Sequence, residues 1–464
     1  AMLAMLGRLR GSYAIAIMLR HHPAMMMAAR SGPPLAIGHG RGEMFFGSDA
    51  IALASFTDRI TYLDNGDCAV ITRDSALIFD FQGHPVVRPH RVVQTAAYLA
   101  DKGNHRHFME KEIAEQPETI SHLLGNYIDF ASRTVKVDHD IDFSSISGLL
   151  ISGCGTAYLS GCIGKYWFER HAGIVVETDY ASEFRYRDVP FFPRQAALFI
   201  SQSGETADTL AALHYCIENG VMTGAVVNVA ESTLGRDADA LFPTLAGPEI
   251  GVASTKAFTC QLAVLACLAV AAGRARGTID AVQEASMVGN LIEVPRLMGE
   301  VLTKMRPHVE DLAAQIAQCR NILYIGRGTS FPLAMEGALK LKEITYIHAE
   351  GYAAGELKHG PIALVDEAMP VVVIAPFDRF FEKTVSNMQE VAARGGRIIL
   401  ITDERGAAQS SLPTMGKIVL PDMEEFISPI LFALPLQMLA YHTAAIMGTD
   451  VDQPRNLAKS VTVE

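Results

Sequence analysis

The sequence predicts an α/β protein with two tandem doubly wound units, each a mostly parallel sheet covered by helices, preceded by a mainly antiparallel segment. The first observation behind this is a duplication. Leu149–Thr156 reads LLISGCGT and Ile322–Thr329 reads ILYIGRGT, at an offset of 173 residues. Each is a strand-like run, then G-x-G-T, then a long helical pattern, and such self-similarity marks a repeated strand–helix domain. The second observation concerns the later strands of each copy. Ala196–Ser201 and Gly224–Val229 correspond to Val371–Ala375 and Arg397–Thr402, again strand-like. Val- and Ile-rich strands that alternate with helices belong in parallel sheets buried on both faces. The third is composition: 464 residues, 49% hydrophobic and 19% charged, form a folding chain long enough for about three domains.

In chain order, Tyr13–Met18 and Ala50–Ala54 read as strands, the second after a glycine-rich turn at Gly38, Gly40 and Gly42. Tyr62–Ile71 and Ala76–Phe81 bracket turns at Asn65-Gly66 and Arg73-Asp74. Asn-Gly between strand-like runs predicts a hairpin, and most of the segment an antiparallel sheet. From His90 to Gly125 polar, helical sequence dominates, with Pro117 interrupting the helical stretch Arg106–Leu124. The two doubly wound units run from about 140 to 285 and from about 310 to 450, and a polar, non-periodic tail closes the chain from Asp450.

Charge and cysteine usage narrow the function. Lys plus Arg is 39 and Asp plus Glu is 51, a net charge of −12 with His neutral. That balance argues against a nonspecific nucleic-acid or anionic-membrane binder, while leaving room for a local phosphate site. The seven cysteines are odd in number and form no CxxC, which speaks against a disulfide framework or structural zinc and for a reducing, cytoplasmic setting. Ala257–Gly273 is an uncharged run of seventeen residues, too short for a confident membrane span and readable as a buried helix. Arg8 and Arg10 follow the first hydrophobic residues instead of preceding them, which is not the order of a signal peptide.

Several runs can carry chemistry. The G-x-G-T turn at Gly153–Thr156 lets backbone amides approach a ligand at a helix start, or is simply a tight strand–helix turn; it lacks the third glycine of a dinucleotide fingerprint. SQSGETADT, Ser201–Thr209, is sharper. Ser201, Ser203, Thr206 and Thr209 supply hydroxyls, Gln202 an amide and Gly204 a turn, just before a helical pattern. That is how a phosphate monoester is held without a metal, whereas helix capping needs one hydroxyl, not four. EIGVASTKAF, Glu249–Phe258, places Ser254, Thr255 and Lys256 before a long apolar helix, either closing over a ligand or as an N-cap beside a surface lysine. In EGALKLKE, Glu336–Glu343, Lys340 and Glu343 are three apart and share a helix face. They read either as a solvent-facing ion pair or as a half-buried carboxylate with raised pKa, fit to move a proton. His359 lies on a Gly-Pro loop, where a histidine is either structural or an acid–base group. In the tail, Leu457, Val461 and Val463 are available to pack and to hold Lys459 in a pocket, where a desolvated amine can attack a carbonyl. No His, Cys, Asp or Glu pattern has metal-ligand spacing, so neither metal nor cofactor is expected.

Taken in this order, SQSGETADT, EIGVASTKAF, EGALKLKE, HAEGYAAGELKHGP (His348–Pro361) and DQPRNLAKSVTVE (Asp452–Glu464) resemble the glutamine–fructose-6-phosphate aminotransferase (isomerising) family over nearly the whole chain. The resemblance makes the duplicated units two sugar-isomerase (SIS) domains and the preceding segment part of an Ntn-type glutaminase domain. It divides the chain into a carboxy-terminal part of the glutaminase domain at 1–94, linker and entry helices at 95–139, a first SIS domain at 140–285, a connecting helix with the second SIS domain at 286–450, and a catalytic tail at 451–464. It implies that fructose 6-phosphate and glutamine become glucosamine 6-phosphate and glutamate. By resemblance the phosphate lies at Ser201, Gln202, Ser203 and Thr206, with further sugar contacts at Val252, Ser254 and Thr156. Lys459 forms an imine with the open-chain sugar, Glu343 moves a proton between C1 and C2 with Lys340 beside it, and His359 opens the ring from the neighbouring subunit of a homodimer. Two departures stand out. Ala157 occupies a position where the family has a serine, and the family's cysteine nucleophile and glutamine-binding residues have no counterpart in the sequence. The expectation is therefore an isomerase half able to use ammonia, without glutamine hydrolysis by this chain. The competing readings are a regulatory SIS protein that only binds sugar phosphate, and an amino-sugar-phosphate deaminase or deglycase.

Overall fold

The computed structural model describes residues 2–48, 50–53, 56–92, 102–136 and 141–462. Ala54, residues 93–101 and 137–140 of the expected linker, Val463 and Glu464 lie outside the described residues. The chain falls into two compact units, one of residues 1–101 with 205–207 and 460–464, the other of residues 102–204 and 208–459.

The first unit holds two antiparallel sheets, not the single one expected. Tyr13–Leu19, His22–Ser31, Cys68–Ile71, Ala76–Phe79 and Pro85–Val86 form one in that spatial order, with Tyr13–Leu19 at its edge. Met44–Gly47, Ala36–His39, Arg59–Tyr62 and Arg91–Val92 form the other. The Asn65-Gly66 turn is real but closes no hairpin, because the strands on its two sides belong to different sheets. It is held instead by the strand His22–Ser31 and its exit: Gly32 N donates to Asn65 Oδ1 (2.8 Å) and Gly66 N to the Arg30 carbonyl (3.1 Å). Hairpins turn instead at Arg20-His21, at Gly40–Glu43, at Arg73-Asp74 and between Phe79 and Pro85. Ala50–Leu53, within a run read as a strand, is a helical turn; its Ala and Leu are good helix formers. Also in this unit, Ala207 N donates to the Val461 carbonyl (3.0 Å).

The second unit contains both parallel sheets. In the first, the spatial order is Val175–Tyr180, Gly148–Gly153, Gln195–Ser201, Met222–Val227, Ala240–Pro243. In the second it is His348–Ala353, Asn321–Gly326, Pro370–Ile374, Arg397–Asp403, Gly416–Leu420. Every pairing in both is parallel, and the order of connection is the same. The three inner strands of each sheet are those legible in the sequence, being nearly continuous apolar runs. The edge strands were missed, because partial exposure breaks their pattern, as in Val175–Tyr180 with alternating exposed residues.

Helix Ala281–Ile316 joins the two halves, opened by a capping box in which Asp280 and Gln283 satisfy each other's backbone. It packs on Ser428–Met447 and on Gln116–Tyr127. Pro117 sits in the first turn of that last helix, where a missing N–H costs nothing, so it starts a helix after a break at Glu115. One continuous apolar core runs between the sheets, from Met109 to Val451, and a smaller cluster covers the outer face of each sheet. The helices Lys256–Arg276 and Glu425–Met447 are long and apolar enough to cross a membrane, but 94% and 78% of the relevant stretches are buried within this core.

Three of these core helices are joined by polar side chains. Gln116 Nε2 donates to Gln437 Oε1 (2.7 Å), Thr259 Oγ1 to Gln116 Oε1 (2.8 Å), and Gln437 Nε2 to the Thr255 carbonyl (3.2 Å), all buried. Gln437→Leu leaves the other members of this network short of partners and is expected to cost about 1–3 kcal/mol. Urea unfolding of the variant beside the parent measures it, and an unchanged midpoint would contradict the assignment.

Candidate active site

The site is built at the carboxyl ends of the first sheet and on the first helix of the second. Gln195–Ser201 delivers the loop Ser201–Gly204 at its end. Ser201 is buried, and its Oγ accepts from Gly204 N (2.9 Å), so this hydroxyl also shapes the loop. Gly204 has φ +68°, and a Cβ there would stand 1.9 Å from Ser232 Oγ, so only glycine fits. Gln202 and Ser203 are half-buried on the turn. Thr206 directly precedes helix Ala207–Glu218 in the chain.

Thr156 stands in the first turn of Gly155–Trp167, where the φ +53° of Gly155 lets the chain turn from strand into helix. Its hydroxyl donates to Glu336 Oε1 (3.2 Å), across to the second SIS-like half. Ala157 packs against the core.

Glu336, Lys340 and Glu343 lie on one face of helix Ser330–Thr345, at spacings of four and three. The solvent-facing reading of Lys340 and Glu343 is overturned. Lys340 is 1% exposed, with its Nζ 2.6 Å from Glu343 Oε2 and 3.7 Å from Glu336 Oε1. Burial works against the Lys340 charge, but Glu343, Glu336 and, more weakly, Glu249 outweigh it and raise its pKa. Glu336 is buried too. Desolvation, opposed by Lys340 and reinforced by Glu343, pushes its carboxyl up to about 8. Glu343 alone of the three is partly exposed, with 21% of its side chain accessible.

The second cluster centres on Glu249, whose side chain is fully buried. Its Oε1 accepts from Thr255 N (2.9 Å) and Ala257 N (3.0 Å), at the start of helix Lys256–Arg276. This carboxylate, and not the hydroxyl of Thr255, serves the open amides of the helix. Ser254 Oγ donates to Glu249 Oε2 (3.3 Å), and Val252 is half-buried on the same loop. Lys256 is not a surface lysine; it is buried and donates to Glu115 Oε2 (2.8 Å).

Lys459 reaches this loop from the tail. Its Nζ donates to Glu249 Oε2 (2.6 Å) and to the Gly251 carbonyl (2.8 Å). Burial alone would raise the Glu249 pKa, yet Lys459 and the helix amides hold it below the usual carboxylate range. The expected apolar packing of the tail is not what secures it, since Leu457 and Val461 are 45% and 55% exposed. Polar anchors do: Asp452 accepts from the amides of Phe108 and Met109 (both 3.0 Å), and Arg455 N donates to the Tyr346 hydroxyl (2.9 Å). His359 ends the short helix Ala354–His359 and is exposed, with no hydrogen-bond partner among the described residues.

The fold thus brings Thr156, Glu336, Lys340 and Glu343 together, brings Ser254, Glu249 and Lys459 together, and lets the charge of Glu249 be felt at Lys340. Glu336 and Glu249 were missed in the sequence. The four-residue spacing of Glu336 from Lys340 was a usable signal; the Glu249–Lys459 contact, across 210 residues, had none. Among the described residues no group of three or more His, Cys, Asp or Glu side chains is placed to hold a metal ion.

Glu336 sets a pH dependence. Its folded pKa of about 8 exceeds the ordinary 4.5, so the native state binds more protons between those values. The stabilisation is complete below the lower value and is lost as pH rises through the higher one. Glu336→Gln is expected to flatten that decline, measured by urea unfolding at about pH 5 and about pH 8; an unchanged slope would show that the group is not responsible.

Comparison with known proteins agrees with this geometry. The SIS-domain family profile matches residues 143–271 and 315–447, one match for each parallel sheet. A glutamine–fructose-6-phosphate aminotransferase (isomerising) of Agrobacterium fabrum is 68% identical over 465 residues, covering 100% of this chain and 76% of that protein. The carboxy-terminal domain of the glucosamine-fructose-6-phosphate aminotransferase of Francisella tularensis superposes with a TM-score of 0.74 at 40% identity, covering 76% of this chain and 100% of that one. A glucosamine-6-phosphate deaminase of Thermotoga maritima, at 22% identity, 76% and 99% coverage and a TM-score of 0.58, shares the fold. With two SIS matches, and a relative that aligns with the chain from end to end, this protein belongs to the isomerising glutamine–fructose-6-phosphate aminotransferase family.

Proposed function

We propose that this chain makes glucosamine 6-phosphate from fructose 6-phosphate, with nitrogen from ammonia supplied directly or released from glutamine. The observation that carries the reading is the tail amine of Lys459, held 2.6 Å from the buried Glu249 carboxylate on the loop that also bears Val252 and Ser254. Ser201, Gln202, Ser203 and Thr206 hold the phosphate, and Val252, Ser254 and Thr156 line the sugar. Remote phosphate binding then orients C1 and C2.

The steps balance without an external electron carrier. His359, contributed by the partner of a homodimer, assists ring opening to the ketone. Lys459, once it has given up its proton, attacks C2 and expels water, forming an imine. Ammonia adds to C2 and releases the lysine. Glu343 takes a proton from C1 and returns it to C2 while the C1 hydroxyl proton passes to the nitrogen, so that C1 is oxidised to the aldehyde as C2 is reduced to the amine carbon. Lys340, a buried cation 2.6 Å from Glu343 Oε2, holds that side chain in place.

Fructose 6-phosphate supplied with ammonium or with glutamine, and products read by mass spectrometry, tests the reading. Glucosamine 6-phosphate or glucose 6-phosphate is expected with ammonium; the absence of either in every mixture would favour a chain that only binds sugar phosphate. Glutamate in the glutamine arm would show that this chain releases ammonia itself. Lys459→Ala should abolish the amino sugar, and Glu343→Gln should slow it by about 10²–10⁴-fold while leaving the borohydride-trapped imine on Lys459. Mixing His359→Ala with Lys459→Ala protein should restore activity, because a mixed dimer holds one intact site; no restoration would place His359 within its own subunit's site or outside the reaction.

A further inference from the structure

We propose that Glu112 is the positioning residue for the Lys459 amine, an assignment that rests on the imine reading above. Glu112 lies on helix Phe108–Ala114, is 2% exposed, and touches no group given a role in the reaction. Its Oε1 accepts from two successive amides, Ile250 N (2.5 Å) and Gly251 N (3.1 Å). Those amides belong to the turn immediately after Glu249. The next amide, Val252 N, donates to the Asp452 carbonyl (3.0 Å). The peptide groups on both sides of Gly251 are therefore anchored, one by Glu112 and one by Asp452. The Gly251 carbonyl, which accepts from Lys459, has its direction set by these two contacts.

The arrangement closes on itself. The side chain of Asp452 accepts from Phe108 N and Met109 N, at the start of the helix that carries Glu112. Helix, turn and tail form one ring of hydrogen bonds around the point where the amine is parked. Glu112 Oε2 is buried without a hydrogen bond and lies 2.9 Å from where a Cβ on Gly251 would stand, so the turn is also held by close contact. Burial and the neighbouring Glu249 raise the Glu112 pKa, which makes a neutral amide a fair substitute for it.

The test uses the full chain and three readouts. Glu112→Ala should lose about ten- to a hundredfold in borohydride-trapped adduct on Lys459 and in kcat, the scale of a misplaced reacting group. Its affinity for sorbitol 6-phosphate, an open-chain probe with no carbonyl to attack, should stay close to the parent's. Glu112→Gln, which keeps a carbonyl oxygen for the two amides, should restore trapping. If Glu112→Ala does not fold, Glu112→Asp withdraws the acceptor by one methylene and is read in the same way. Normal trapping in the folded alanine or aspartate variant overturns the assignment. So does a loss of sorbitol 6-phosphate affinity in proportion to the loss of trapping, which would mark a general structural role. A parent chain that yields no adduct overturns the imine reading itself, and this assignment with it.

Discussion

The site depends on one buried ion. Glu249 has no contact with water, and an ionised carboxylate in that position is tenable only if it is compensated on every side. The compensation comes from two sources of different kinds. Amides at the open end of the Lys256–Arg276 helix are fixed by the fold, whereas Lys459 is brought by the tail. The first makes the carboxylate a permanent feature of the core; the second makes the tail a ligand for it. The otherwise unpatterned end of the chain is thereby given a defined place at Lys459.

The same physics recurs on the helix Ser330–Thr345 with the signs exchanged. Lys340 is a buried cation with carboxylates one turn before and one turn after it. Of those, Glu336 is sealed in the core and hydrogen-bonded by Thr156, while Glu343 keeps 21% of its side chain exposed. Burial sorts two chemically identical carboxylates on one helix into a structural one and an accessible one.

Duplication supplied two equivalent crevices, and the two halves have used them differently. At the end of its central strand the first sheet carries the glycine turn of Ser201–Gly204 with its hydroxyls. At the matching place in the second sheet, the amide of Phe377 is taken by Asp403 Oδ2 (2.8 Å), whose other oxygen accepts from Gly406 N (2.8 Å). An internal carboxylate satisfies there the kind of amide that an anion would need. The second half instead carries the buried Lys340 and its two carboxylates on its first helix.

The duplication, the parallel inner strands, the SQSGETADT turn and the family are all legible in the residues alone, because continuous apolar runs, glycine turns and clustered hydroxyls are local signals. Helical spacing is local too, and it places Lys340 and Glu343 on one face. The two-sheet division of the amino-terminal unit is not legible in this way. There Asn65-Gly66 turns the chain between sheets instead of within one; a turn's residues specify its shape, not which strands it serves. Nor are the edge strands, whose exposure erases periodicity. Folding in three dimensions was needed to bury Lys340 and Lys256, to set Glu249 at a helix start where it receives Lys459, and to bring Glu112 to the turn between them. One cause is common to all of these. The state of a charged side chain is set by the partners and the solvent around it, and here those partners come from segments as much as 210 residues away along the chain.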